Sequence, residues 1–449
     1  MHNKKYHIVT IGCQMNKNDS ERIAAYLENF GFVFEKDKVK ADLLIVTTCG
    51  VRQSAENRIY GLIPKLKKTN PRKIIILTGC LSKREDVKKR MKKYVDLWLN
   101  ITDLPNLQNL LKDKISIVNK EHMFEYQDVN SYFKIKPNYS SSYSAFVPIG
   151  NGCDNFCTYC VVPYARGREI YRSAGEIINE VASLVKNGYK EINLIAQNVN
   201  SYQDGDVKKI NFPQLLAMIN DIAGDFWIRF STSHPKDMSD ELIYAIARCA
   251  KVCRHIHLPI QSGDNVILEK MNRKYTKEHY LKLIFKIREV LKSMDDYPWT
   301  APVSISTDII VGFPGETKKQ FNQTVNLFKE VGFDMAYIAQ YSPRPGTAAE
   351  KMINNVSQEE KKQRMEIIDK LLRKTAKKNN QTYINKVVQV MIINKNSKGF
   401  FGLTKSNKNV HVFGAVDVEI GEIINVKIKK VEDFGMEGVY DGINNLCQK

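Results

Sequence analysis

The chain has 449 residues, of which 43% are hydrophobic and 26% are charged, and its formal net charge is +19. No apolar run reaches the about 18 residues of a membrane helix and no apolar signal region begins the chain, which excludes a membrane-spanning class. The length predicts about two to four domains. Without such apolar segments, we expect a cytoplasmic protein that has no membrane partner. The basic charge favours nucleic acid as a partner, although an AT-rich genome would also enrich lysine.

The first part of the chain alternates strand and helix patterns. Ile23, Tyr26, Leu27 and Phe30 fall at i, i+3, i+4 and i+7, which is one face of a helix. A second helical pattern covers 54–66, between short apolar strands. This alternation predicts an α/β domain with a doubly wound parallel sheet over residues 3–119. The predicted strands are 7–11, 43–46 and 73–77.

A polar segment over 121–144 has no helical or strand period and is interpreted as a linker. Strand–helix alternation then resumes and predicts about six βα units, a partial (β/α)6 barrel within a domain over 139–376. Barrels of this kind place their chemistry at the carboxyl ends of the strands. The predicted barrel strands are 145–149, 192–196, 227–230, 255–259, 304–311 and 335–341.

The last part of the chain changes period. A charged amphipathic helix is predicted over 358–378, and short strand patterns separated by Gly, Asn and Lys follow it. They predict a small all-β barrel over 379–444, a form that often binds nucleic acid. The predicted strands are 387–393, 400–404, 410–413 and 423–428.

Nine cysteines and no export signal favour metal or catalytic use over a disulfide framework. Cys153, Cys157 and Cys160 form a C-x3-C-x2-C motif directly after the first predicted barrel strand. Three thiolates can hold three irons of a 4Fe–4S cluster and leave the fourth iron open. The alternatives are a zinc site, which usually needs four ligands, or three unrelated thiols. No fourth Cys or His lies near in the sequence.

A second set of cysteines is dispersed along the N-terminal domain. Cys13, Cys49 and Cys80 each lie just after one of the three predicted strands. Because the ends of parallel strands share one edge of the sheet, these thiols can converge there. The alternative is three separate buried cysteines. Three further cysteines need no functional role; they are Cys249, Cys253 and Cys447.

The C-x3-C-x2-C motif, together with Val-Val-Pro-Tyr-Ala-Arg-Gly-Arg-Glu over 161–169, resembles the methylthiotransferases of the radical S-adenosylmethionine superfamily. Further motifs of that family occur along nearly the whole chain, at 12–16, 48–49, 79–80, 197–201, 233–236, 258–263, 312–317 and 341–346.

This resemblance implies two 4Fe–4S clusters and S-adenosylmethionine as cofactors. One cluster would have Cys153, Cys157 and Cys160 as ligands and would bind S-adenosylmethionine at its open iron to start radical chemistry. The ligands of an auxiliary, sulfur-handling cluster would be Cys13, Cys49 and Cys80. The resemblance also assigns four residues near the S-adenosylmethionine, with an ordinary turn as the alternative; they are Gln197, Asn198, Gly312 and Gly315. No catalytic side chain is assigned.

Residues 12–16, Gly-Cys-Gln-Met-Asn, are most similar to the branch that methylthiolates C2 of N6-isopentenyl-adenosine next to the anticodon in tRNA. The first alternative is a methylthiotransferase for threonylcarbamoyl-adenosine in tRNA or for a ribosomal protein aspartate. The second is a non-catalytic RNA-binding protein with structural metal, against which two open three-cysteine sets argue. We expect a monomer that receives electrons from a donor such as flavodoxin or ferredoxin.

The C-terminal module resembles a TRAM domain, an RNA-binding β-barrel. Aromatic and basic residues there are expected to meet RNA; they are Phe400, Phe401, Lys405, Lys408 and His411. Arg166, Arg168 and Arg344 are candidates for holding a phosphate, a carboxylate or the cofactor.

Overall fold

The computed structural model of the chain describes residues 4–51, 53–114, 129–205, 209–293, 302–414 and 417–442. No helix in these ranges is long and apolar enough to cross a membrane. Part of the predicted linker, 121–128, lies outside the described residues, and so does Cys447.

The N-terminal domain is a five-stranded parallel sheet with the strand order β2-β1-β3-β4-β5. The strands are β1 (Lys5–Thr10), β2 (Val33–Phe34), β3 (Leu43–Thr48), β4 (Ile74–Gly79) and β5 (Leu97–Trp98). The helices are α1 (Gln14–Asn29), α2 (Gln53–Thr69), α3 (Glu85–Met91) and α4 (Leu107–Leu111).

Hydrophobic clusters cover both faces of this sheet, because alternate residues of a strand point to opposite sides. Leu43 and Ile45 pack with α1 and α4, whereas Leu44 and Val46 pack with α2 and α3. The predicted doubly wound sheet is therefore confirmed. The two edge strands β2 and β5 were not predicted, since two residues are too few to show a period.

Part of the predicted linker, residues 129–135, is packed against the N-terminal domain. Residues Val129–Lys134 form a 3-10 helix, and Tyr132, Phe133 and Ile135 are buried in the core that α1 lines. The guanidinium of Arg22 donates a hydrogen bond to the backbone oxygen of Phe133 over 2.8 Å. Among the described residues of the predicted irregular segment, the stretch from about 136 to 143 matches the prediction.

Six parallel strands form the partial barrel of the central domain, in two three-stranded sheets ordered β10-β9-β6 and β11-β12-β13. Backbone hydrogen bonds of Ile228 with Lys251 and Cys253 join the two halves. These strands are β6 (Ser144–Pro148), β9 (Glu191–Ile195), β10 (Trp227–Phe230), β11 (His255–His257), β12 (Ser304–Val311) and β13 (Met335–Gln340). The six predicted strands are thus confirmed, with ends shifted by at most two residues.

Helices cover the barrel, and a small hairpin of β7 (Gly150–Asn151) with β8 (Ile170–Tyr171) lies at its first strand end. The helices are α5 (Val162–Arg166), α6 (Ala174–Lys186), α7 (Phe212–Asn220), α8 (Asp240–Arg248), α9 (Asn265–Lys270), α10 (Lys277–Ser293), α11 (Lys318–Val331) and α12 (Gln358–Gln381). The long α12, predicted over 358–378, leads to the last domain.

The C-terminal module is a closed barrel with the strand order β14-β15-β16-β18-β17. The strands are β14 (Val387–Asn396), β15 (Gly399–Thr404), β16 (Asn409–Phe413), β17 (Ile423–Val431) and β18 (Met436–Tyr440). Four of them were predicted. The fifth, β18, closes the barrel by pairing with β16 in parallel and β17 in antiparallel orientation.

Three of the residues expected to meet RNA face inward instead. Phe400 lies in the core of the module. Lys408 forms a buried ion pair with Asp334 over 2.6 Å, and the Nζ atom of Lys405 donates to the backbone oxygen of Ala250. The expectation was wrong for these residues because alternation in β15 turns Phe400 inward, and because both lysines lie where the module meets the central domain. Phe401 and His411 remain on the outer face.

Candidate active site at the barrel mouth

Three cysteines lie at the carboxyl edge of the N-terminal sheet. Cys13 follows β1, Cys49 follows β3 and Cys80 follows β4. The strand order reverses between β1 and β3, and doubly wound sheets bind ligands in the crevice outside such a switch point. The fold thus brings the three cysteine loops to the position where this architecture forms sites.

The three loops are in contact with one another. A Cβ atom added to Gly12 would lie 2.9 Å from Cβ of Cys49, and one added to Gly50 would lie 3.3 Å from Cβ of Cys80. Glycine at 12 has φ +136°, a conformation that other residues rarely adopt. Only a residue without a side chain fits between the first two cysteines.

Cys13 is exposed, whereas Cys49 and Cys80 are buried. Desolvation by the surrounding protein nevertheless raises the pKa of Cys13, and the positive charge of Arg166 acts against this shift. Cys13 is therefore the member of this set that solvent reaches most readily.

The triad of Cys153, Cys157 and Cys160, the first triad below, lies in the loop between β7 and β8, at the carboxyl end of the first barrel strand. The backbone N–H of Cys153 donates to the oxygen of Gly167 over 3.1 Å. The N–H of Gly152 donates to Oε1 of Gln197, at the end of β9, over 2.6 Å. Gly152 has φ +87°, and a Cβ atom there would collide with the backbone oxygen of Arg168. The entry to the cysteine loop is thus fixed on both sides.

The end of α9 holds the middle of the same loop. The N–H of Thr158 donates to the oxygen of Met271 over 3.1 Å, and its hydroxyl donates to the oxygen of Lys270 over 2.8 Å. The amide of Asn272 donates to the oxygen of Phe156 over 3.0 Å. Phe156 has φ +45°, an unfavourable conformation for an aromatic residue that the surrounding bonds enforce.

Arg273 is a site residue that the sequence did not reveal. Its Nη1 donates to Sγ of Cys157 over 3.4 Å, and its Nη2 donates to the oxygen of Pro259 over 2.7 Å. Burial raises the pKa of Cys153 to about 11, and burial followed by the neighbouring Cys157 raises the pKa of Cys160. Burial thus favours the protonated form of the Cys153 and Cys160 thiols, and binding of a metal cluster would release these protons.

The two triads face each other across the domain boundary. A Cβ atom added to Gly50 would lie 3.1 Å from Cγ2 of Val161, the residue after Cys160. Cys80 is among the groups whose charge raises the pKa of Cys160, after burial and Cys157. The sheet edge and the barrel mouth are therefore in contact beside the two triads.

Buried polar atoms without a partner among the described residues mark the adjoining strand ends. They are Oδ1 of Asn198, Oγ of Ser233 and Oε1 of Gln261, which follow β9, β10 and β11. An unsatisfied buried acceptor or hydroxyl is costly, so such an atom requires a reason, and a bound ligand or ordered water is one. Ser233 and Gln261 lie in sequence motifs after predicted strands, so strand-end position was the signal that could have found them.

The predicted cofactor residues have structural contacts of their own. Gln197 accepts the bond from Gly152, and Asn198 donates to Oδ2 of Asp237 over 2.8 Å. Gly312 and Gly315 have φ +69° and +77° in the turn after β12. Lys361 packs over Gly312, so a tight turn already requires glycine there. Their contact with S-adenosylmethionine stays a prediction.

In the described ranges no group of three or more Cys, His, Asp or Glu side chains is arranged to hold one metal ion. A mononuclear zinc site would bring its ligands within about 2.0–2.3 Å of a single centre. A 4Fe–4S cluster instead places each thiolate on a different iron. The three thiols of each triad fit the donor set of such a cluster, and they would leave one of its irons without a cysteine ligand.

Comparisons with known proteins agree with this architecture. Residues 147–328 match the radical SAM superfamily, and residues 5–100 match UPF0004, an uncharacterized protein family. The fold is similar to that of the radical S-adenosylmethionine methyltransferase TsrM from Kitasatospora setae with cobalamin and a [4Fe-4S] cluster bound (TM-score 0.54, 14% identity, 78% of this chain and 77% of that chain). Fold and cysteine loop together define the class, a radical S-adenosylmethionine protein.

Curated relatives match over nearly the full length. A protein from Syntrophomonas wolfei is 43% identical over 446 residues, which cover 97% of each chain. A protein from Clostridium tetani is 42% identical over 445 residues, covering 96% of this chain and 95% of the relative. Both are named tRNA-2-methylthio-N(6)-dimethylallyladenosine synthase, and the chain described here belongs to that family.

Proposed function

We propose that this chain methylthiolates C2 of N6-isopentenyl-adenosine next to the anticodon in tRNA. The observation that carries this proposal is the meeting of two three-cysteine sets, one at the switch point of a doubly wound sheet and one at the mouth of a barrel. The names and the near full-length identity of the curated relatives support the choice of substrate.

Cys153, Cys157 and Cys160 would hold one 4Fe–4S cluster with its open iron facing S-adenosylmethionine, and the other triad would hold the auxiliary cluster. When bound, these groups supply one-electron chemistry and sulfur transfer. Gln197 keeps the first cysteine loop in place through Gly152.

The protein also prepares the space between the triads. The unpartnered Oδ1 of Asn198 and Oε1 of Gln261 can accept hydrogen bonds from the amino and hydroxyl groups of S-adenosylmethionine. Arg273 places a permanent positive charge beside Cys157, which offsets the charge of a bound thiolate.

An aromatic stack on the C-terminal module supports RNA as the substrate. The rings of Phe401 and His411 are parallel, with centroids 4.4 Å apart, and Phe413 follows with its centroid 4.1 Å from that of His411. Phe413 is exposed, and Lys427 lies on the same row of the barrel through Val439. Aromatic rings beside basic residues bind unpaired bases by stacking and phosphates by charge.

The remaining parts of the proposal concern the setting of the reaction. An electron donor such as flavodoxin or ferredoxin would reduce the first cluster, and the enzyme would act as a monomer. The proposed tRNA substrate supports a cytoplasmic location.

Nucleoside mass spectrometry of tRNA tests the proposal. In a strain without this gene, 2-methylthio-isopentenyl-adenosine should disappear and unmodified isopentenyl-adenosine should accumulate. Complementation with the native chain should restore the product, and complementation with Cys157→Ala should not. If the product persists while methylthio-threonylcarbamoyl-adenosine or methylthiolated ribosomal aspartate is lost, the substrate is a different one.

Iron and sulfide analysis of anaerobically reconstituted protein tests the cofactors independently. Two clusters require about eight iron and eight sulfide per chain. Zinc without sulfide would contradict the radical chemistry altogether.

A further inference from the structure

Two buried arginines of the central domain reach into the N-terminal domain. Arg166, at the end of α5, leaves only 3% of its side chain exposed and pairs with Asp19 over 2.7 Å. It also donates to Oδ1 of Asn16 over 3.0 Å and to Oδ1 of Asn151 over 2.9 Å. One guanidinium therefore connects the loop of the first cysteine triad with helix α1.

Asn16 passes this connection on to two auxiliary cysteine loops. Its Nδ2 donates to the backbone oxygens of Ile11 and Thr48 over 2.7 and 3.0 Å. Ile11 lies two residues before Cys13, and Thr48 directly precedes Cys49. A shift of Arg166 would therefore change the positions of both loops.

Arg344, in the loop after β13, makes the second connection. Its Nη2 donates to the backbone oxygen of Val51 over 2.9 Å, and its Nη1 donates to Oε1 of Gln53 over 2.6 Å. The N–H of Val51 in turn donates to Sγ of Cys49 over 3.4 Å. A single residue, Val51, therefore links Arg344 to the auxiliary thiol of Cys49 through hydrogen bonds.

Both arginines interact electrostatically with the auxiliary thiols. Burial alone would lower the pKa of Arg166, but the charges of Asp19, Cys80 and Cys13 raise it overall. Burial lowers the pKa of Arg344, and Glu56 and Cys49 act in the opposite direction. A guanidinium stays charged in proteins, and a buried charge is poorly screened by water.

We propose that Arg166 and Arg344 are positioning residues for the auxiliary cluster, which lock its cysteine loops onto the barrel mouth and stabilise its negative charge. The proposal rests on the two-cluster function proposed above. A 4Fe–4S cluster with three thiolate ligands becomes more negative on reduction. Positive charge at this position therefore favours the reduced form, and the charge of Asp19 opposes it.

Reduction midpoint potentials of the auxiliary cluster test this proposal. The full-length chain with Cys153→Ala, Cys157→Ala and Cys160→Ala retains only the auxiliary set, so EPR-monitored titration reports one cluster. In this background R166Q and R344Q should each shift the midpoint to more negative values. R166K, which keeps the charge, should shift it less, and D19N should shift it to more positive values.

R229Q is the matched control. Arg229 is also buried and also joins two domains, since it pairs with Glu191 and donates to the backbone oxygen of Thr404 over 2.9 Å. Its loss should reduce stability without moving the midpoint. Equal midpoint potentials for the triple-alanine chain without further change, for R166Q and for R229Q would overturn the proposal. If R166Q retains no cluster, the D19N titration decides: a positive shift supports the proposal and an unchanged midpoint overturns it.

Failure of the underlying function would look different. A triple-alanine background that takes up no iron and sulfide, although it is folded by circular dichroism, would refute the auxiliary cluster itself. A midpoint that is measurable but insensitive to charge would refute only the role of the arginines.

Discussion

At the scale of single residues, the two cysteine triads differ in their surroundings. Cys157 lies beside Arg273 in a loop that hydrogen bonds of Gly152 hold at its start and hydrogen bonds of Thr158 hold in its middle. Cys13 is exposed at the edge of the other domain. The triads are close in space but belong to separately folded loops, so one should tolerate damage to the other.

Cys157→Ala should abolish cleavage of S-adenosylmethionine, because the cluster that reduces it loses a ligand. Cys13→Ala should retain cleavage and lose methylthiolation, because only the sulfur-handling set is affected. Release of 5′-deoxyadenosine and formation of the methylthio nucleoside, measured in the same reaction, separate the two effects. Normal methylthiolation by Cys13→Ala would refute the auxiliary role.

A buried histidine should make the stability of the apoprotein depend on pH. Burial, with the charges of Arg273 and Lys236, lowers the pKa of His234 to about 2, and its Nδ1 accepts the N–H of Lys236 over 3.2 Å. The unfolded chain binds a proton near pH 6.5 that the folded chain does not, so stability falls as pH drops below that value. Between pH 7.5 and 5.5 the loss from this group is about 1.4 kcal/mol.

Urea unfolding of the native protein and of His234→Asn at both pH values measures this contribution. Asparagine can still cap the following turn but does not titrate. The variant should lose less stability on acidification than the native protein. Equal losses of stability in the native protein and in the variant would show that protonation of His234 does not destabilise the folded state.

At the scale of elements, strand ends decide where the chemistry lies. The cysteine loop between β7 and β8 is clamped by the end of β9 on one side and by the end of α9 on the other. Its geometry depends on a glycine, since Gly152 has φ +87° and its missing side chain leaves room for the backbone oxygen of Arg168. The loop is therefore defined by backbone conformation as much as by its cysteines.

Gly152→Ala should destabilise the protein by more than about 1 kcal/mol, because it adds both steric overlap and an unfavourable φ. It should also reduce iron retained by the first triad. Gly61→Ala is the control: Gly61 lies inside α2 with no atom within 4 Å of an added Cβ, and this change should stabilise by about 0.5–1 kcal/mol. Denaturant unfolding and iron analysis compare both variants. If Gly152→Ala reduced neither the stability nor the retained iron, the idea that the loop needs glycine at this position would be wrong.

At the scale of the whole molecule, the C-terminal module lies at the end of the barrel opposite the triads. It contacts Asp334, just before β13, through Lys408, and Ala250, in the segment that leads to β11, through Lys405. The barrel strands run up to eight residues, or about 26 Å, from this end to the mouth. An RNA that touches both ends must run along the side of the barrel, which suits a folded tRNA better than a short oligonucleotide.

Phe413→Ala should weaken binding of tRNA by about 1–3 kcal/mol, or roughly 5- to 150-fold in Kd, because a stacking surface is lost. Cleavage of S-adenosylmethionine without tRNA should not change, since the triads lie at the other end. Phe285→Ala, at an exposed phenylalanine of α10, is the matched control. Filter binding or fluorescence anisotropy measures the affinities. Equal Kd values for the two variants would exclude the aromatic stack from the RNA surface.

The sequence by itself determined the order of the elements and the positions of the six cysteines after strands. Periodicity and strand ends are local properties, so the six barrel strands and the switch-point cysteines Cys13, Cys49 and Cys80 could be located without coordinates. The short strands β2 and β5 escaped because two residues carry no period.

Only the tertiary structure decided which charged and aromatic residues face the site. Lys408 and Phe400 are typical of an RNA surface in sequence, yet one is paired with Asp334 and the other is in a core. Arg166 and Arg344 have hydrogen-bond partners 147 and 293 positions away in the sequence, Asp19 and Val51. Sequence patterns record which face of an element is buried. The partner of a buried charge depends on how distant elements pack, and that packing exists only in the folded chain.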